Sequence, residues 1–334
     1  MADSLVHALT ARDLASANDQ IARMLGPDMA LKVDVVENAR AAEAAPVWRV
    51  DAPGQSRFRF HEKIYSQWPA LLFERWVSML PLIARAMAHV TEGSCSFNLG
   101  DEGHRPGLAF CAAAPGYALI PDCAFMKEDG YAAVATAFAA RCLPWRERRP
   151  VLFWRGATTG RRTGGVLDLP RVRLCLLAAA LGERADVGVS GVSPDFPGEE
   201  QVLRAAGVLR DYVPPDRLDH YQLHIDIDGN TNSWPGLLMK LHSGSPVLKV
   251  QSAHGYRQWY YDRLRPWENY VPVRADMADL AEIADHLFAH PDLAERIGAA
   301  GRALAQSMTV EAEVERAVPT IADALRAGHR APGA

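Results

Sequence analysis

YQLHIDIDGNTNSWPGLLMKLHSGSPVLKV, residues 221–250, is the stretch that decides the fold class of this chain. Leu223, Ile225 and Ile227 alternate with His224, Asp226 and Asp228, a period of two that predicts a strand with three polar groups on one face. Residues 229–233 follow as a polar turn that supplies hydroxyls and backbone N–H groups. Trp234, Leu237, Leu238 and Leu241 then recur at helical spacing, with Ser233 as the expected cap and Pro235 near the helix start. Ser243, Gly244, Ser245 and Pro246 end that helix, and Val247, Leu248 and Val250 begin a second strand. Ligands of α/β proteins bind in polar loops at the ends of such strand–helix–strand units. The polarity of this loop favours a phosphate- or sugar-bearing ligand.

The same alternation of strands and helices extends outward. The strongest further strand covers residues 151–154, with helices at 170–182 and 199–206 and a strand at 186–190 between them. After residue 270 come a short VPV strand and helices at 276–289, 291–306 and 310–326. On the other side, residues 3–45 read as helical, 47–60 as two strands around a Pro-Gly turn, and 69–90 as an amphipathic helix broken near Pro81. Strands follow at 95–99 and 108–111, an irregular stretch at 117–126, and a helix at 130–142. Alternation of this kind predicts an α/β chain with mostly parallel sheets. At 334 residues two domains are expected. The boundaries read as 1–148, 149–310, and a C-terminal segment 311–334 that is free to pack back on the first domain.

Composition sets outer limits. Hydrophobic residues make up 49% and charged residues 23%, as in globular chains, and the net charge of −4 argues against a general nucleic-acid binder. Arg far outnumbers Lys among the 36 basic residues, a bias that base composition alone can produce. Five cysteines without a CxxC pair fit reduced thiols in a cytosolic protein. No signal peptide and no apolar run of membrane-spanning length is visible, which gives a cytoplasmic expectation and leaves room for peripheral membrane contact.

Four constellations are able to carry chemistry. LFWRGATTGRR, residues 152–162, is a buried strand running into a Gly/Thr loop with Arg155, Arg161 and Arg162. Converging guanidinium, hydroxyl and backbone donors of that kind suit a diphosphate, although the order is not that of a P-loop. His224-x-Asp226-x-Asp228 offers alternate oxygen and nitrogen ligands to Mg²⁺ or Mn²⁺, but the same residues suit support of a strand end, and that reading is preferred. Asn98-Leu99-Gly100-Asp101-Glu102-Gly103-His104 holds a carboxylate able to act as a base, in a sequence equally normal for a turn. Gln258-Trp259-Tyr260-Tyr261 with Arg265-Pro266-Trp267 is aromatic enough to stack on a sugar or base, with a core role as the default for Trp259 and Trp267.

Taken in order, these segments resemble glycosyltransferase family 90, which includes Rumi-type protein O-glucosyltransferases, capsule-associated xylosyltransferases and bacterial lipopolysaccharide-modifying enzymes. The resemblance rests on FWRGATTGRR, on residues 221–250, and on WYYDRLRPWENYVPV with DMADL, and more weakly on FNLGDEGHRPGLAF. It covers roughly residues 150–300, and the wording of the motifs is similar to the bacterial branch. It implies a GT-B-like architecture of two Rossmann-like domains facing a cleft. The implied reaction is inverting transfer from a UDP-sugar donor to a glycan or lipid-linked acceptor, with no cofactor and no obligatory metal. Asp101 takes the position of the general base. Arg155, Gly156, Thr158 and one of Arg161 and Arg162 line the diphosphate, joined by Asp228, Gly229, Asn230, Asn232 and Ser233. Gly244 and Ser245 shape the other side. Ala157 stands where Rumi-like members carry Ser, and Trp234-Pro235 where they carry an Arg. A phosphate contact is therefore missing or moved, to Arg162 or Lys240. The alternatives are a metal-dependent transferase using Asp226 and Asp228, and a non-catalytic sugar-nucleotide or glycan-binding protein.

Overall fold

The computed structural model describes residues 1–37, 46–66, 68–193 and 198–329. Contacts group the chain into two compact units. One is Met1–Gly130 with Arg257–Trp259 and the segment from Thr309 onward; the other is Tyr131–Tyr256 with Tyr260–Met308. Helix α6 and the connector after it, residues 131–148, thus belong with the second unit.

The first unit holds strands β1 (Ala30–Val36), β2 (Val47–Ala52), β3 (Gln55–His61), β4 (Gly93–Phe97), β5 (Gly107–Ala109) and β6 (Tyr117–Leu119). Their order is β1-β3-β2-β4-β5-β6, with β2 antiparallel to both neighbours and the other pairs parallel, so the sheet is mixed. Its helices are α1 (Ala2–Thr10), α2 (Leu14–Leu25), α3 (Pro69–Ser78), α4 (Leu80–Met87) and α5 (Cys123–Lys127). Fully buried Phe58, Phe60, Trp76 and Phe97 meet ring to ring between the sheet and α3, and they form the heart of this core. The helical expectation for residues 3–45 fails at β1, where Leu31 and Val33 are buried between exposed Lys32 and Asp34. That period of two overrides the helix-forming composition around it. Residues 38–45 of that expectation lie outside the described residues. The stretch at 117–126, read as irregular, contains β6 and the start of α5.

The second unit has helices α6 (Ala132–Arg141), α7 (Pro170–Ala178), α8 (Glu199–Ala205), α9 (Pro235–His242), α10 (Leu280–Ala289) and α11 (Pro291–Gln306). Its strands are β7 (Arg149–Ala157), β8 (Ala185–Gly191), β9 (Tyr221–Asp226), β10 (Val247–Val250) and β11 (Val271–Val273). The sheet order is β11-β10-β9-β7-β8, and every pair is parallel. Every residue of β9 and β10 is buried, as befits central strands covered on both faces. The polar face predicted for β9 is therefore buried too. The chain moves from β7 outward to β8, then returns past β7 to β9 and continues the other way. Between β7 and β9 the direction of winding reverses, and in open α/β sheets the crevice at such a reversal binds ligands.

The final helix, α12 (Val310–His329), packs in the first unit against β4 and α4. It lies so close that a Cβ on Gly93 would fall 2.7 Å from the Leu325 backbone, and one on Gly328 2.0 Å from the Ser94 carbonyl oxygen. The described residues thus form an α/β chain with two sheet-centred units, the first sheet mixed rather than purely parallel and the second all parallel.

Candidate functional site

The loops that leave β7 and β9 meet at the winding reversal, and a residue passed over in the sequence joins them. Arg171 is the second residue of α7, which Pro170 opens. Its Nε donates to the Asp228 carbonyl at 2.9 Å and one Nη to Thr159 Oγ1 at 2.7 Å. Longer bonds of 3.3 Å reach the carbonyls of Ala157 and Ile227. A second tie runs from the Gly160 N–H to Asn230 Oδ1 at 3.1 Å. Gly229 leaves no room for a side chain, since a Cβ there would sit 2.7 Å from Thr159 Oγ1 and 2.8 Å from an Arg171 nitrogen. Burial lowers the pKa of Arg171, while Asp226 and Asp228 work in the opposite direction. A guanidinium remains ionised in proteins, so this is a fixed positive charge beneath both loops.

Asp226 anchors the loop from below. Lys240 donates to one carboxylate oxygen at 2.9 Å and Lys249 to the other at 3.1 Å, while the Ser233 hydroxyl donates at 2.5 Å. Burial opposes the charge of Asp226, but the two ammonium groups and the hydroxyl overcome it and hold the carboxyl below the ordinary range. Ser233 is spent on this bond and makes no cap on α9, contrary to expectation. A divalent cation at Asp226 would have to displace two ammonium groups, which weighs against the Asp226/Asp228 metal reading. Asp228 lies past the end of β9, and there burial raises the pKa more than Lys249, Ser252 and Asn232 lower it. Asn232 donates to Asp228 at 3.1 Å and to the Tyr256 carbonyl at 3.3 Å, and Arg161 donates to the Tyr256 hydroxyl at 2.6 Å. Tyr256 thereby joins both loops.

The structure brings Arg161, Asp228, Gly229, Asn230, Asn232, Ser233 and Lys240 to this junction and places six other expected residues differently. Arg155 is turned to Asp186, which it meets at 2.5 Å, and it also donates to the carbonyls of Trp154, Asp186 and Asp211. Its guanidinium holds the edges of β7 and β8 and is not presented to a ligand. Arg162 forms a two-pronged pair with Glu199. Thr158 is buried, and its hydroxyl accepts the Ser193 N–H at 2.9 Å, so it builds the loop. Gly156 makes space for Trp154, whose ring would come within 2.5 Å of a Cβ.

Gly244 and Ser245 stand at the wrong end of the sheet. Ser245 donates to the carbonyl of Tyr221, the first residue of β9, and accepts from Arg148, both at 2.6 Å. A helix that joins two parallel strands starts at their C-terminal ends and finishes at their N-terminal ends. The turn after α9 is therefore roughly 17 Å of strand away from the loop before it. These two residues organise the base of the sheet. Arg171, Lys249 and Tyr256 are the participants missed from sequence. The signal for Arg171 was a long basic side chain directly after the Pro that opens the helix following a Gly/Thr loop.

The expected base lies in the first unit. The Asp101 side chain is 43% exposed and accepts from Arg75 at 2.9 Å, while Arg75 also donates to the Leu99 carbonyl at 2.8 Å. Asn98 shapes this loop, because its Oδ1 accepts the N–H groups of His104 and Arg105 and its amide donates to the carbonyls of Arg105 and Leu108. The turn reading and the placement of an accessible carboxylate are thus both satisfied by one loop. Close in sequence, Asp122 is fully buried, caps α5 through the Phe125 N–H and accepts from Gln258 at 2.9 Å. Burial raises it to about 6.

Comparison with known proteins agrees with the second unit. Residues 126–315 match the model of the family described as Glycosyl transferase family 90. Protein O-glucosyltransferase 2 of Danio rerio is 27% identical over 163 residues, which are 49% of this chain and 30% of that protein. The uncharacterized protein 035R of Invertebrate iridescent virus 3 is 29% identical over 145 residues, 41% of this chain and 13% of its own length. Matches to these curated relatives therefore span less than a third of each relative. Among solved structures, TarM superposes with a TM-score of 0.39 at 13% identity over 54% of this chain and 37% of its own, too loosely to bear on the fold or the activity. The family match takes in more than half of the sequence, including the β7 and β9 loops and Arg171, and the chain belongs to glycosyl transferase family 90.

Proposed function

We propose that the chain is an inverting glycosyltransferase that moves a hexose or pentose from a UDP-sugar to a hydroxyl of a glycan or lipid-linked acceptor. The observation that carries this reading is the winding reversal between β7 and β9, where Arg171 fastens two Gly-containing loops into one polar rim. A nucleoside diphosphate suits that rim. It has backbone and side-chain donors from both loops and a fixed positive charge held in a low-dielectric setting, where charge is felt more strongly than in water.

In the proposed reaction the acceptor oxygen attacks the anomeric carbon as the bond to the UDP oxygen breaks. Asp101 takes the acceptor proton, and the departing diphosphate keeps the bonding electron pair. Arg171, Arg161 and Lys249 supply positive charge that would otherwise have to come from a metal, so a metal-independent transfer is the preferred form. Acceptors of the lipopolysaccharide or capsule type, met at the cytoplasmic face of a membrane, fit the bacterial wording of the motifs. Among the described residues no helix is long and apolar enough to cross a membrane.

The test is a thermal-shift and UDP-release assay with UDP-glucose and UDP-xylose on the wild type and Asp101→Asn. A donor that binds only the native state raises the midpoint of both proteins. Loss of a general base lowers turnover by roughly 10²- to 10⁴-fold. Unchanged turnover removes Asp101 from the mechanism, and the absence of any midpoint shift rejects the donor class.

A further inference from the structure

A groove of about 540 Å³ opens at the C-terminal ends of β10 and β11. Sheet order sets β11 two strands from β9, roughly 10 Å from the donor loops. Gln251 and Arg274, which follow the two strands, form one side; Glu282, Ile283 and His286 of α10 form the other, and Trp267 stands at its wall.

Trp267, expected in the core, is 42% exposed and has a φ of 62°. Left-handed backbone is strained for a bulky side chain and persists only where surrounding bonds impose it. Here they do. The Trp267 N–H donates to the Tyr270 carbonyl at 2.8 Å, and buried Asn269 clamps the loop through the Arg265 N–H at 2.8 Å and the Arg263 carbonyl at 2.9 Å. The ring itself stays partly open, edge-on to His286 with centroids 5.9 Å apart. The loop is built to hold an indole at the groove rather than to bury it.

The charge around the groove selects the ligand. The Arg274 side chain is bonded to Asp276 at 2.7 Å, the Asp279 carboxylate accepts the Arg274 backbone N–H at 3.1 Å, and Glu282 adds a further acidic residue to the lining. That surrounding disfavours a phosphate. An aromatic face beside amide and carboxylate acceptors suits a sugar ring, whose C–H face stacks while its hydroxyls donate. We propose that this groove is a subsite for a neutral sugar unit of a glycan, seated on Trp267 and separate from the donor loops. The assignment stands independently of the donor reading.

Saturation-transfer NMR of the full chain with maltotriose and with cellotriose tests it, against Trp267→Gly and Trp267→Phe. Glycine accepts the left-handed conformation, so the first variant removes the ring and relieves the strain together. The expected result is saturable binding of one trisaccharide at about 1–10 mM, weakened at least tenfold by Trp267→Gly and less by Trp267→Phe. Calorimetry with UDP on the same proteins separates the two sites. The proposal is overturned if neither sugar binds, if Trp267→Gly binds as the wild type does, or if UDP binding falls together with sugar binding.

Discussion

Replacing Asp226 with Asn withdraws one negative charge from a cluster with two buried ammonium groups. The Lys240 and Lys249 side chains are only 11% and 8% exposed, and each has its contact with the Asp226 carboxylate, at 2.9 and 3.1 Å. The amide that replaces it keeps one acceptor oxygen, turns an NH2 donor toward one of the two lysines and neutralises neither cation. Removing one member of a buried ion pair costs about 3–5 kcal/mol, and the shared partner of two lysines belongs at the upper end of that range. The loss also depends on pH in a definite direction. Asp226 has a folded pKa below the unfolded value of about 3.9, so its stabilisation is complete above pH 4 and declines as the pH falls toward the folded pKa. Over that window each pH unit removes about 1.4 kcal/mol from the difference between wild type and Asp226→Asn. Urea unfolding of both proteins at pH 7 and pH 3 measures it. A difference under about 1 kcal/mol at pH 7, or one that does not narrow at pH 3, refutes the claim that this carboxylate is the electrostatic anchor of the donor loop.

Two further substitutions test neighbouring arguments. The buried carboxyl of Asp122 has its pKa raised to about 6, so its protonated form contributes stability that is complete below pH 4 and lost as the pH rises through 6, about 3 kcal/mol in all. Asp122→Asn retains a helix cap and should flatten the stability profile between pH 4 and 7; a profile parallel to the wild type contradicts it. Gly229→Ala forces a Cβ into the Thr159–Arg171 bond, which should cost about 1–3 kcal/mol and weaken UDP binding measured by calorimetry. Wild-type affinity in that variant would show that the tie between the loops does not shape the site.

The part of the chain legible in its sequence is the part governed by local periodicity. Alternation at 221–227 and helical spacing at 234–241 gave β9 and α9, and Gly and Pro marked their ends. The pieces that resisted depend on where elements lie in space. Gly244 and Ser245 are near Ser233 in sequence, yet the rise of α9 carries them to the opposite, N-terminal end of the strands. Arg155 sits in the most suggestive motif, but Asp186 on the adjacent strand claims it, and no pattern within residues 152–162 reveals that partner. Arg171 has the converse history: its place after the Pro that opens α7 is only a weak local signal, and its role emerges when two loops from distant parts of the sequence close around it. In β1, Ala-rich surroundings masked seven residues whose pairing with β3 sets their conformation.

The packing of α12 on β4 and α4 gives the order of synthesis a structural meaning. The whole second unit is translated between α5 and α12, so the first unit waits for its last helix while that intervening chain is made. At ordinary elongation rates the wait is roughly ten to forty seconds. During that time the face of β4 that Gly93 keeps flat for Leu325 has no cover, and the nascent chain presents an apolar surface to chaperones. Substitutions that slow the docking of α12, such as a side chain at Gly93 or Gly328, would therefore act first on yield in the cell and only second on the stability of the finished molecule.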